Sequence, residues 1–467
     1  MSSEAREATR GSAIKLGAEL LGRVLALVTS LLIARGLGPA DFGVFAFLSG
    51  VAVLLSEVGD AGLQGTAQRA LVARTLSLRA MLRAKALLLA VALAAAAALA
   101  LGSQVLLAPL VLYYLLAGWS EFLGVALRAR GRRGSEAATI LCLRAATLSL
   151  VVLVFVRGLG LSGLAWALAA SPLPAIAVGF GLLRRGDGEA EPAAPEARDS
   201  VGVLRLALPL GLNGLLALLS LRVEILALPF FVDDQATGWF AAALKVVDSL
   251  ILVPAAIAAG AMPALTREAL SGGRGPVRER TATSVALLGV PAAVGLFALA
   301  PGVVQLLYGS EYAPAALPLR LLAPALLAIF LNNVLLHALL ALGRAPLLPR
   351  LTAVRVAVAG VAALLLIPSL GIAGAALGFT LAELALLPLA ARACSREGFG
   401  VPLLRGVTLA ALLSLPMALV LALLPGSALR AIVAGAGTYG LTLLAAWRLQ
   451  PRLFAGPEPA LFGPSGA

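Results

Sequence analysis

Apolar residues along this chain do not alternate with polar ones. They come in long unbroken runs separated by short polar or basic stretches. About fourteen runs stand out by hydropathy. They lie near Ser12–Ala34, Phe42–Leu63, Ala84–Leu101, Val105–Leu127, Ala137–Val156, Gly160–Leu183, Val201–Leu221, Trp239–Met262, Thr281–Ala300, Pro318–Leu342, Leu347–Ser369, Gly371–Ala391, Pro402–Leu424 and Ala428–Leu449. Each approaches the roughly 20 residues that cross about 30 Å of hydrocarbon as a helix. Lipid offers no partner for backbone polar groups, so such runs must be helices. Strands of a membrane barrel would alternate apolar and polar positions, and these runs do not. Only Gly102, Ser103 and Gln104 separate the third and fourth runs. The first run carries Lys15, Glu19 and Arg23 and has no clear A-x-A cleavage site, so it is expected to be a retained helix.

Composition strengthens the picture. Of 467 residues, 61% are hydrophobic and 13% are charged, against about 45–50% and about 25% in a soluble domain. The expected class is an all-α polytopic membrane protein. The net charge of +13 would suggest nucleic acid in a soluble protein. Here the basic residues gather between runs, where they set topology, and no nucleic-acid partner is expected. Arg69, Arg74, Arg79, Arg83 and Lys85 follow the second run; Arg128, Arg130, Arg132 and Arg133 follow the fourth; Arg267, Arg274, Arg278 and Arg280 follow the eighth. The opposite connections carry little beyond Arg35 and Arg157. This asymmetry predicts cytoplasmic termini in a cell membrane.

The longest polar stretch, Arg184 to Ser200, is rich in Pro, Ala and Glu and has no apolar period, which marks a linker. It divides the chain into an N-terminal lobe (1–183), a cytoplasmic linker (184–200), a C-terminal lobe (201–391), and two additional helices with a cytoplasmic tail (392–467). Each lobe would hold six helices in the same orientation, as in a parallel repeat. The second and eighth runs open alike, on Asp41-Phe42-Gly43-Val44-Phe45 and Thr237-Gly238-Trp239-Phe240.

Little in the chain suggests reaction chemistry. Cys142 and Cys394 form no CxxC or CxxH spacing, and His337 is the single histidine. No Cys/His metal site, no cofactor, no nucleophile–base pair and no phosphate-cradling Gly loop is expected, and no enzyme activity.

Four phrases carry a family resemblance. They are Ala34-Arg35-Gly36-Leu37-Gly38-Pro39-Ala40-Asp41-Phe42-Gly43; Leu208-Pro209-Leu210-Gly211-Leu212 followed by Arg222-Val223-Glu224-Ile225-Leu226; Leu307-Tyr308-Gly309-Ser310-Glu311-Tyr312; and Ala341-Leu342-Gly343-Arg344. Their order and their placement at helix ends resemble the polysaccharide-transport or O-antigen (Wzx-type) flippase family. That family belongs to the superfamily that includes MATE exporters and lipid II flippases. The resemblance spans roughly Ser12 to Ala391. Glu224 departs from it, since the family more often has Asp there. The resemblance implies two six-helix lobes around a central cavity, here with two further helices. It also implies movement of a polyprenyl-diphosphate-linked oligosaccharide from the cytoplasmic to the outer leaflet. Membrane lipids, a glycan polymerase and other polysaccharide-assembly proteins would be the partners. A MATE-type multidrug/cation antiporter and a lipid II flippase are the near alternatives. A membrane-embedded glycan polymerase or ligase is the distant one, because every outer loop is short.

Ionisable groups inside the membrane are costly, so each is a candidate site residue. Arg23, Arg144 and Arg355 suit a diphosphate, because guanidinium donates bidentately and keeps its charge. Lys245 is a fourth substrate-binding candidate. Glu383, Asp248 and Glu57 are ion-coupling candidates. Simple pairing competes with each role: Glu19 with Arg23, Lys245 with Asp248 one turn on, and Glu383 across helices. Glu57, Asp60 and Glu121 could neutralise cations near the cytoplasmic side. His337 is read as structural, and Asn332 and Asn333 as cross-helix bonds. Pro209, Pro254, Pro291, Pro324 and Pro416 are expected to kink their helices.

Overall fold

The computed structural model describes residues 3–71, 78–101, 106–185, 200–272, 275–423 and 428–449. The side chains of 3–16, 68–70, 93, 95–101, 133, 200 and 201 are outside this description, as are most of the expected linker, the tail and the Lys15 side chain. Every regular element among the described residues is helical. The chain divides into two compact units, Met1–Arg222 and Val223–Ala467.

The first unit holds α1 (Ser3–Asp60), α2 (Leu63–Ala70), α3 (Leu78–Leu101), α4 (Leu107–Ala129), α5 (Arg133–Arg157), α6 (Gly160–Ala170), α7 (Leu173–Arg184) and α8 (Ser200–Ser220). The second holds α9 (Val223–Ala227), α10 (Asp234–Leu250), α11 (Leu252–Leu270), α12 (Val277–Tyr308), α13 (Ala316–Ala341), α14 (Leu347–Leu370), α15 (Ile372–Arg396), α16 (Leu403–Leu423) and α17 (Ala428–Leu449). Short 3₁₀ segments follow α9 and α12.

Among the described residues, twelve helical segments are long and apolar enough to cross a membrane. The fourteen runs expected from hydropathy relate to these simply. The 58-residue α1 contains the first two, divided at Gly38 (φ 74°) with Pro39 opening the second limb. The third run lies on α3, which is outside the twelve. The outward surfaces are what lipid requires. Leu404, Leu412, Leu415, Leu419 and Leu423 lie exposed along α16, a stripe that water would not tolerate on a soluble monomer.

Two runs are cut by proline. Pro172 cannot donate to the carbonyl of Leu168, and the chain breaks there between α6 and α7. That carbonyl is satisfied by Ser171 instead, whose backbone N–H and hydroxyl donate to it at 3.0 and 2.8 Å. Pro254 does the same to the carbonyl of Leu250, where α10 gives way to α11. Pro209, Pro291, Pro324 and Pro416 lie inside helices that run on past them.

Several glycines of the recurring phrases have structural reasons. Gly36 faces Phe155 of α5, whose ring would stand 2.3 Å from any added Cβ. Gly309 and Gly343 hold positive φ (90° and 71°) at helix ends. The α1–α2 junction turns through Ala61 (φ 49°) and Gly62 (φ 78°). There it meets α8 so closely that a Cβ on Gly62 would lie 2.2 Å from the Gly211 nitrogen. This contact keeps α8 packed on α1, α2 and α3, so the division by packing falls one helix after the linker.

Gly62→Ala is therefore expected to destabilise the first unit by about 2 kcal/mol or more, from the left-handed backbone and a clash with backbone atoms that cannot rotate away. Gly65→Ala, whose Cβ would meet nothing closer than 4.0 Å, should be neutral. Melting of both variants in detergent checks this; equal melting temperatures would contradict it.

Candidate functional site

Within the first unit, the end of one apolar run and the start of the next bring opposite charges together. Asp60 closes the second limb of α1, and Lys85 lies in the first half of α3. Their side chains form an ion pair that is largely buried (14% and 7% exposed). Lys85 is thus not the loop charge that its place in the basic stretch suggested. The other oxygen of Asp60 accepts from the backbone N–H of Gln64 at 2.9 Å, capping α2. The Gln64 amide donates to Glu121 at 2.9 Å.

These groups line a cavity of about 530 Å³ together with Glu57, Tyr114, Trp119, Asn213 and Gly214. Glu57 makes no hydrogen bond or ion pair among the described residues. It lies over Gly214, where an added Cβ would stand 2.3 Å from its Oε1. The lining holds three carboxylates, Glu57, Asp60 and Glu121, against one ammonium, Lys85.

A second cavity of about 200 Å³ shares Gln64 and Glu121 with the first. Glu19, Ser120, Arg128, Glu136, Thr139 and Arg144 complete its polar lining. Arg128 is paired with buried Glu136 at 2.7 Å. The stem of Arg144 packs against Gly22, with Cγ 3.5 Å from where a Cβ would be. Arg144 therefore sits beside the α1 turn that bears Arg23. Arg23 itself is exposed on α1, among exposed Leu20, Leu21 and Val24.

The second unit has its own charged cluster. Arg355 of α14 and Glu383 of α15 form an ion pair at 2.5 Å, with side chains 10% and 4% exposed. The Asn332 amide of α13 donates to both the side-chain and backbone oxygens of Glu383 at 3.0 Å. The guanidinium lies 5.6 Å from the Phe379 ring centroid, a cation–π distance. Glu224 of α9 packs against α14 and α15, fully buried. Neither of its carboxylate oxygens has a hydrogen-bond partner among the described residues.

The sequence candidates thus divide. Arg144 packs on the α1 turn that bears Arg23, whose own side chain is exposed and turned away from it, while Arg355 and Glu383 fall on each other. Lys245 and Asp248 lie half-buried one turn apart on α10. Glu57 faces the larger cavity. His337 bonds the Asn333 carbonyl one turn back in α13, at 2.8 Å. Sequence reading missed the enclosure of Lys85 and the burial of Glu224. Consecutive antiparallel runs place Asp60 and Lys85 at the same membrane face, and that signal could have suggested the pair.

Known proteins carry the same architecture. The chain is similar to the lipid II flippase MurJ in its inward closed conformation, with a TM-score of 0.73 at 11% identity, covering 94% of this chain and 100% of that one. It is also similar to a multidrug resistance MATE family transporter of the MOP superfamily. The inward-facing form gives a TM-score of 0.63 at 15% identity, covering 83% of this chain and 98% of that one. The outward-facing form gives 0.59 at 15%, covering 87% and 96%. No curated protein matches the sequence. At such identities the likeness defines the fold, that of multi-pass membrane transporters and flippases of the MurJ and MATE type. The sequence model of one family, described as polysaccharide biosynthesis protein, matches residues 8–268. The match takes in more than half of the chain, which therefore belongs to the polysaccharide biosynthesis protein family. The motif resemblance and the all-helical membrane fold expected from the sequence both stand.

Proposed function

We propose that this protein is a flippase. It moves a polyprenyl-diphosphate-linked oligosaccharide from the inner to the outer leaflet of the cell membrane, by alternating access between its helical lobes. The family match over residues 8–268 carries this reading, and the full-length likeness to a protein titled a lipid II flippase supports it. The first lobe supplies Arg23 and Arg144, and their guanidinium groups replace the hydration that a diphosphate loses on leaving water. The polyprenyl tail stays in lipid. The product would pass to a glycan polymerase and other polysaccharide-assembly proteins at the outer face. Purified protein in proteoliposomes should make a labelled lipid-linked oligosaccharide accessible on the far leaflet. Protein-free rates with a range of such lipids would end the proposal.

A second reading rests on the acidic lining of the larger cavity. Glu57, Asp60 and Glu121 would suit an organic cation, as in a multidrug antiporter. Efflux of cationic dyes from cells expressing the protein, unaffected by lipid-linked oligosaccharide, would favour it.

Orientation is part of the proposal, with both termini cytoplasmic. Reporter fusions at Gly131, Gly188 and Gly273 should read cytoplasmic, and those at Gln104 and Gly309 external, because the arginine-rich connections stay inside. One site on the wrong side breaks the fourteen-helix topology.

A further inference from the structure

Several arginines of the basic connections are engaged by the protein itself. Arg128 pairs with Glu136, Arg278 with Glu268, and Arg344 with Glu397. Arg79 and Arg83 of α3 and Arg205 of α8 differ from these. All three are exposed, and none makes a hydrogen bond or ion pair among the described residues. The third base of α3, Lys85, is turned by about 200° from Arg83 on the helix and pairs with Asp60 inside the unit. The two helices pack on each other. Leu78, Met81 and Ala84 of α3 and Val203 of α8 share one buried cluster, so the core lies behind both helices and their exposed faces point outward together. Arg83 and Arg205 each stand five residues into their helix, at about the same depth. Beyond them each helix carries an apolar ridge. Leu87 and Val91 are 50% and 61% exposed on α3, and Leu208 and Leu212 are 62% and 59% exposed on α8. Both ridges lie about 12–20 Å from the helix starts.

We propose that the outer face of α3 and α8 is a binding site for an anionic phospholipid of the cytoplasmic leaflet. The three guanidinium groups hold the phosphodiester, which they suit as charge-assisted donors. The negative leaflet surface brings such lipids to basic residues at this level. The two acyl chains lie along the two ridges, one on Leu87 and Val91, the other on Leu208 and Leu212. Two parallel ridges at matched depth fit a two-chain phospholipid better than a polyprenyl lipid with its single chain. Arginines that only set topology need neither a shared depth on neighbouring helices nor an apolar ridge above each of them.

The test puts wild-type protein in phosphatidylcholine vesicles containing a few per cent of photoactivatable phosphatidylglycerol and maps the label by peptide. Label on the exposed stretches of α3 and α8 should exceed that on the equally apolar face of α16 at least fivefold. Photoactivatable phosphatidylcholine should show no such preference. Even labelling of α16, α3 and α8 by phosphatidylglycerol overturns the proposal without any variant. Replacing all three arginines (Arg79→Gln, Arg83→Gln and Arg205→Gln) should bring the excess to within twofold of α16. A control with the same loss of charge elsewhere (Arg350→Gln, Arg392→Gln and Arg396→Gln) should leave it intact, since these three are likewise exposed and lie in the second unit. Equal losses in the two variants would mean that net charge alone draws the lipid, and the site falls. Unlabelled phosphatidylglycerol should displace the label at a concentration at least tenfold below that of a polyprenyl diphosphate. Equal or better displacement by the polyprenyl diphosphate assigns the face to that lipid and overturns the phospholipid site. Should the triple variant fail to insert, the wild-type map and the displacement series decide the matter.

Discussion

Arg355→Ala is expected to remove most of the protein from the membrane fraction. The substitution leaves Glu383, with a side chain 4% exposed, bonded to Asn332 but without its cation. Glu224, fully buried on the neighbouring α9, loses the same positive charge. Breaking one side of a buried pair costs about 3–5 kcal/mol, because the remaining charge is stranded. That is a large share of the roughly 5–15 kcal/mol that holds a domain together. Removing both charges should cost far less. Arg355→Met with Glu383→Gln keeps the volume, and the new amide can still meet Asn332. This double variant should regain most of the wild-type membrane level and melting temperature. A role for Arg355 as a substrate ligand makes the opposite forecast: Arg355→Ala accumulates normally but does not flip, and the double variant does not flip either. An immunoblot of membranes beside a flipping assay separates the two accounts.

The sequence made the helices legible because lipid leaves the backbone no alternative. Fourteen runs could be drawn from hydropathy alone, and each lies on helix. Turn chemistry was legible in the same way. Gly38-Pro39 reads as an interruption, and the structure bends α1 there. Other interruptions depended on single residues whose effect differs with context. Pro254 breaks its helix, whereas Pro291 and Pro324 do not. The partners of the charges were least legible. Arg355 and Glu383 are visibly charges within apolar runs, but which faces which depends on the rotation of each helix about its axis. Only the packed neighbours set that rotation. Glu224 lay in a recognisable phrase, and yet nothing in its neighbours predicted complete burial. Lys85 looked like one more topogenic cation, because hydropathy places a residue near a membrane face without saying which way its side chain turns. Arg23 was the simplest case. Its place in the first run made it a candidate, and its exposure on α1 keeps it one.

Arg23→Ala is expected to leave membrane levels unchanged and to reduce flipping by about two orders of magnitude. Successive residues of a helix are turned by about 100°, so with Gly22 set against Arg144 on α5, Arg23 points elsewhere. Its neighbours Leu20, Leu21 and Val24 are exposed. A guanidinium at the centre of a helix facing bare hydrocarbon costs about 2.5–3.5 kcal/mol or more, so an arginine is kept there only where it meets water or an anion. A diphosphate supplies the anion. Two charge-assisted bonds, each contributing about 1.5 kcal/mol, correspond to roughly a hundredfold in rate if they are made as the substrate leaves water. Arg23→Lys should recover about tenfold, since a point charge keeps the attraction and loses the fork. The rival account makes Arg23 the structural partner of Glu19, one turn earlier. It requires that Arg23→Ala lower expression and that adding Glu19→Ala restore both expression and transport. The flippase reading expects neither, because the second substitution cannot return a ligand to the diphosphate. If the double variant flips as wild type does, Arg23 is not a substrate ligand, and Arg144 alone would remain to hold the anion.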